Sequence, residues 1–209
     1  MNKLFTMVAM AFMAVCVNAQ STDKTWNFAD WEAKTFTENF TKDGLTIYAT
    51  SEKTVVIEEN SKTVNDVEYK KRLKFGGTGS KDSRCVEFEV DGACTIEVVL
   101  TSASGSENRT LNICTGEFSN DNLLATLPAV TSGPTLESYQ YTGEAGKIVL
   151  GSAKSGINIY AIYVKYSSNP ETAIESVKAS VDNNGKAYNL GGRVATKGLL
   201  IQNGKKIIK

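Results

Sequence analysis

The residues of this chain best suited to chemistry are cations and phenols set in β-type runs. In YKKRLKF, Tyr69 to Phe75, alternation sends Lys70, Arg72 and Lys74 to one side and Tyr69, Lys71, Leu73 and Phe75 to the other. Three cations on one face form a basic strip, although Lys plus Arg and Asp plus Glu balance at 23 each. Arg109 follows the serine-rich stretch TSASGSENRT and adds a second guanidinium fork. Forks suit carboxylates, flat apolar surfaces suit sugar faces, and small polar groups suit hydroxyls. On that chemistry the candidate ligand-binding residues are Arg72, Arg109 and Lys71 as cations, Tyr141 and Tyr160 as phenols able to pack while keeping a hydroxyl wet, and Asn158 as the amide. Structural roles stand beside these. Lysines guard exposed sheet edges, and an arginine is equally satisfied by an internal carboxylate.

Other chemistries are disfavoured. The chain contains no histidine, which removes the commonest general base and the imidazole ligands of most catalytic zinc sites. Glu58 and Glu59 are adjacent, so in a strand they point to opposite faces and make a poor catalytic dyad. No catalytic residue is assigned and the chain is read as a non-enzyme. The acidic residues are too scattered for a calcium-loop signature, so no metal ligand and no cofactor is assigned, and a structural calcium has no motif behind it. Zero net charge provides no global field toward nucleic acid or an anionic membrane.

The elements that must position these residues are strands. Short β-type runs follow one another from Thr25 onward: LTIYAT, TVVIEE, YKKRLKF, CVEFEV, CTIEVVL, TLNICT, LLATL, ESYQY, KIVLGS and INIYAIYVKY. Turn residues separate them, including Asp43-Gly44, Asp91-Gly92 and the loop Gly76 to Ser80. Asp91-Gly92 predicts a hairpin between CVEFEV and CTIEVVL, with Val86, Phe88 and Val90 facing a core together with Ile96, Val98 and Leu100. INIYAIYVKY is apolar on both faces, which predicts a strand covered on both sides. Trp26, Phe28 and Trp31 are read as packing. Cys85, Cys94 and Cys114 allow one disulfide with a free thiol, Cys85 and Cys94 being the pair to test, or three buried thiols.

The two ends carry their own signals. Residues 1–19 hold one lysine, an apolar run and a small-residue cleavage point, a secretory leader, and no later run is long enough to span a bilayer. Roughly 190 residues remain, enough for one sandwich and a small appendage. The β-sandwich domain is placed at 20–166, a linker at 167–175 around SSNPE, and a C-terminal β module at 176–209. In that module LLIQ and KKII flank Asn203-Gly204, a hairpin that sets Leu200 opposite Ile207 and Leu199 opposite Ile208.

TWNFADW, DGLTIYA, YKKRLKFGGTGS, the R-x-V-x-F pattern at Arg84, Val86 and Phe88, RTL at Arg109 to Leu111, YTG at Tyr141 to Gly143 and SGINIYAIYV occur in an order that resembles the accessory β-sandwich attached to secreted pectate lyases of Bacteroidetes-type bacteria. The resemblance spans about 140 residues of ordered motifs, more specific together than any one alone. It implies an all-β, jelly-roll-like antiparallel sandwich and carbohydrate binding. It brings no catalytic residue, since the chain lacks the length and repeats of a pectate lyase β-helix. The tail, with G-x-x-V at Gly191 to Val194, K-G-L-x-I at Lys197 to Ile201 and a lysine-rich last strand, is similar to the sorting module of type IX secretion and implies secretion machinery as a partner. The resulting expectation is a secreted or cell-surface, non-catalytic module for polysaccharide, including acidic, uronate-bearing polysaccharide. The alternative is a structural or adhesive surface protein acting through protein contacts.

Overall fold

A computed structural model describes residues 21–166, together with the backbone of Leu199–Gln202 and Lys205–Ile208. The leader, the linker and most of the C-terminal module lie outside the described residues. The chain divides into two compact units, Met1–Ser167 and Ser168–Lys209.

The first unit is an antiparallel, jelly-roll-like β-sandwich. Its strands are β1 (Lys24–Asn27), β2 (Lys34–Phe36), β3 (Phe40–Lys42), β4 (Leu45–Tyr48), β5 (Val55–Val64), β6 (Val67–Phe75), β7 (Cys85–Val90), β8 (Cys94–Ser102), β9 (Arg109–Thr115), β10 (Leu123–Ala129), β11 (Thr135–Tyr141), β12 (Gly146–Ser152) and β13 (Ile157–Lys165). A 3-10 turn, Phe28–Asp30, follows β1. One sheet runs β11-β8-β13-β6-β5-β2 with β1 also paired to β13, and the other runs β10-β9-β12-β7-β4-β3. In the second unit β14 (Leu199–Gln202) pairs with β15 (Lys205–Ile208) in the expected register, Leu199 opposite Ile208 and Leu200 opposite Ile207.

Alternation places the core between the sheets. Leu45, Ile47, Val86, Phe88, Leu111, Ile113, Ile148 and Leu150 from one sheet meet Ile57, Leu73, Phe75, Ile96, Val98, Leu100, Ile157 and Ile159 from the other, all buried. Trp26, Phe28 and Trp31 pack on this core as expected. Cys85, Cys94 and Cys114 are all buried free thiols.

The Asp91-Gly92 hairpin is corrected. β7 pairs with β4 and β12, whereas β8 pairs with β11 and β13. The link is an arch from one sheet to the other, with Gly92 at φ 144°. Both apolar faces do turn inward, but they meet across the core. Asp43-Gly44 is a true two-residue hairpin turn, with φ 50° and 76° and Lys42 opposite Leu45. Asn65-Asp66, φ 50° and 64°, closes β5 onto β6 in the same way.

The β5–β6 hairpin shapes the face that matters below. A register shift between Glu59 and Lys62 bends the pair, as an extra residue in one strand does. β6 pairs with β13 only at Leu73 to Phe75, and β1 takes the vacated edge at Ala161 to Val164. The far part of the hairpin turns over the outer face, where Val64 and Tyr69 pack on Val99, Tyr160 and Ala161. This overturns the simple alternation of YKKRLKF. Tyr69 belongs to this outer cluster, not to the main core with Leu73 and Phe75. It also supplies the second cover of β13 that its two apolar faces predict.

Candidate functional site

The outer face of the seven-stranded sheet gathers three of the six candidate residues. Arg72 stands opposite Glu58, and Lys74 opposite Asn158 on the other flank of β6. Asn158 in turn lies opposite Thr101 of β8. A register shift between Ile159 and Ala161 turns both Tyr160 and Ala161 outward.

The polar groups here form one cluster. Arg72 Nε donates to Glu58 Oε1 at 3.0 Å, Arg72 Nη2 donates to the same oxygen, and Lys74 Nζ reaches it at 3.3 Å. These donors hold the Glu58 carboxyl below its ordinary range, the Arg72 hydrogen bond leading. Two cations around one carboxylate leave a local surplus of one positive charge. Beside them the Oδ1 of Asn158 is buried and has no partner, while the residue is only 3% exposed. A buried acceptor without a donor is uncommon in a folded protein.

Tyr160 sits underneath this cluster. It is 0% exposed and its hydroxyl donates to Asn60 Oδ1 at 2.6 Å. Burial raises its pKa and Arg72 opposes that shift. The expectation of a wet hydroxyl on an open ring is therefore corrected, because the β5–β6 hairpin lies over it.

The other three candidates are elsewhere. Lys71 Nζ donates to the carbonyls of Trp31 at 2.8 Å and Ala29 at 3.3 Å, tying the hairpin to the 3-10 turn. Tyr141 is 8% exposed and donates to the Glu144 carbonyl at 2.9 Å, over Gly143, where a Cβ would strike its ring. It too lacks the wet hydroxyl expected of it. Arg109 donates from Nη1 to the Gly156 carbonyl at the opposite end of β8 from Tyr141. Nine residues of strand, about 27 Å, lie between those ends.

Sequence reasoning took Glu58 only as half of a poor catalytic dyad and Lys74 as part of the basic strip or an edge guard, and it missed Asn60. Only the cross-strand register brings them to Arg72. A separate depression of about 360 Å³, lined by Lys24, Trp26, Asp43, Thr46, Glu87 and Glu89 among others, holds none of the six candidates. Its three carboxylates disfavour an acidic ligand. Among the described residues no group of carboxylates and thiols is set to hold a metal ion, and no helix is long and apolar enough to cross a membrane.

No family model and no curated protein sequence matches the chain. Among solved structures it is similar to the CBM22-1-GH10 modules of Clostridium thermocellum endo-1,4-beta-D-xylanase 10B complexed with xylohexaose, at 16% identity and TM-score 0.42, over 65% of this chain and 28% of that one. It is also similar to the CBM22-1 xylan-binding domain of Paenibacillus barcinonensis Xyn10C, at 14% identity and TM-score 0.41, over 68% of this chain and 92% of that one. A family 35 carbohydrate binding module from Clostridium thermocellum aligns at 13% identity and TM-score 0.36, over 68% and 97% of the two chains. The chain thus matches a little over a quarter of the xylanase chain and nearly all of each isolated module.

Proposed function

We propose that this protein is a non-catalytic carbohydrate-binding β-sandwich whose glycan lies on the outer face of the seven-stranded sheet, at Arg72, Lys74, Glu58 and Asn158. The carrying observation is the unpartnered Asn158 Oδ1 next to the Arg72–Glu58–Lys74 cluster. A sugar ring presents several hydroxyls at once. One donates to Asn158 Oδ1, another accepts from the Lys74 ammonium, and the net positive charge favours a uronate-bearing chain over a neutral one. Glu58, held ionised by Arg72, is a poor proton donor, which supports binding without catalysis.

The test is retention of the full chain on immobilised uronate and neutral polysaccharides, with an Arg72→Ala, Lys74→Ala, Asn158→Ala variant beside it. Retention lost in a still-folded variant supports the reading, and undiminished retention removes this face from it.

Export through the 1–19 leader, association with pectate lyases and handling of the tail by secretion machinery belong to the same proposal. They rest on the resemblance, and deleting 176–209 and assaying surface delivery tests the last of them.

A second reading, adhesion through protein contacts, is favoured by exposed Leu123 and Leu124 on β10 and Leu136 on β11, the adjoining edge strands of the two sheets. Pull-down of a protein partner lost on replacing those leucines by serine tests it.

A further inference from the structure

Six links cross between the sheets at one end of the sandwich, β2–β3, β4–β5, β6–β7, β8–β9, β10–β11 and β12–β13, and two arginines stand among them. Arg84 ends the β6–β7 link at φ 54°, a left-handed conformation a non-glycine residue seldom takes. Its guanidinium lies against Gly77, where any Cβ would collide with Nη1. Arg109 opens β9 and donates from Nη1 to the Gly156 carbonyl. The links between them are tied together: Ser155 N donates to Thr78 Oγ1 at 3.0 Å, and Gly79 N to the Ser152 carbonyl at 2.9 Å. β12 is the one strand separating β7 from β9, so the two arginines start about 10 Å apart.

Both arginines have a buried Nε with no hydrogen-bond partner. Among the described residues neither forms an ion pair, in contrast to Arg72. Glu107, two residues before Arg109 in the chain, is engaged by Lys154 at 3.0 Å. An orphaned guanidinium N–H is costly inside a protein, and a guanidinium fork matches a planar oxyanion.

We propose that this end of the sandwich is an anion site in which Arg84 and Arg109 take the carboxylate of a uronic acid residue. The choice of a sugar acid rests on the carbohydrate-binding reading above; the place rests on the two guanidiniums. The surplus positive charge of the Arg72–Glu58–Lys74 cluster then contributes general attraction on the sheet face, while Arg84 and Arg109 read the acid group.

The experiment is an NMR titration of the uniformly labelled full chain, following the Nε–Hε signals of its four arginines, Arg72, Arg84, Arg109 and Arg193. The probes are D-galacturonate, D-galactose and sulfate at low ionic strength. The expected result is a saturable shift of the Arg84 and Arg109 signals with galacturonate and none with galactose, weakened at least about tenfold by Arg109→Lys or Arg84→Lys, which keep the charge and lose the fork. Arg84 and Arg109 signals that stay fixed overturn the proposal, and so does movement with sulfate alone. Galacturonate binding here without retention on any polysaccharide upholds this site and removes the sheet-face reading. Polysaccharide retention with both signals unmoved does the reverse.

Discussion

Arg72 and Glu58 face each other across β6 and β5, and a single carboxylate oxygen takes Arg72 Nε at 3.0 Å and Lys74 Nζ at 3.3 Å. Glu58 therefore spends its charge on the strip that would otherwise attract an acidic glycan. The Glu58→Gln variant is expected to bind uronate polysaccharide about three to ten times more tightly at low salt, an advantage that shrinks under screening. Its stability cost should be about 1 kcal/mol or less, since the group is partly exposed. The lowered Glu58 pKa gives a pH signature. Its stabilisation is present above the unfolded carboxyl value, about 4.3, and fades as pH falls through the lowered folded value. Urea titrations across the acid range should show that loss in the parent chain and less of it in the variant.

Tyr160 should act as a support. Tyr160→Phe leaves Asn60 Oδ1 without its 2.6 Å donor, a loss of about 1–2 kcal/mol and a few degrees in Tm. Glycan retention at a temperature where both proteins are folded should not change. A large drop in retention would make the phenol a direct contact.

How much of this was legible can be seen in particular residues. The ten β-type runs and the inward faces of CVEFEV and CTIEVVL follow from alternation, which burial on one side imposes. Asp91-Gly92 signals reversal of the chain but not whether the next strand pairs or crosses to the other sheet, because that choice depends on distant partners. The short β1, β2 and β3 are too brief to show a period. Tyr160 is hidden by a bend in β5–β6 whose register shift has no composition signal. Arg84 entered only as part of a motif; its left-handed backbone and its seat on Gly77 are long-range facts.

Phe118 closes the outer face of the other sheet. It lies directly over Gly151 and touches Gly79, while packing with Cys85, Cys114 and Val149. Gly151→Ala should displace the ring and cost about 1–3 kcal/mol. Combining it with Phe118→Ala should give less than the sum of the two single effects, measurable by urea denaturation.

The buried thiols set an alkaline limit. Burial pushes Cys85 up to about 12 and Cys94 up to about 11, against about 8.5 in an unfolded chain. The unfolded state then loses these protons first, so stability is full below about pH 8.5 and declines as pH rises toward the folded values. The expected slope is about 1.4 kcal/mol per pH unit for each fully shifted thiol. Cys85→Ala should flatten it between pH 9 and 10.

The central claim is that the sheet face around Asn158 binds a glycan. Its most direct test is affinity of the full chain for a uronate polysaccharide, compared between the parent and Asn158→Ala at low and moderate salt. We predict salt-sensitive binding in the parent and a loss of at least about fivefold in the variant, the equivalent of about 1 kcal/mol. Equal affinity in a folded variant, or no binding by the parent to any polysaccharide offered, would contradict it.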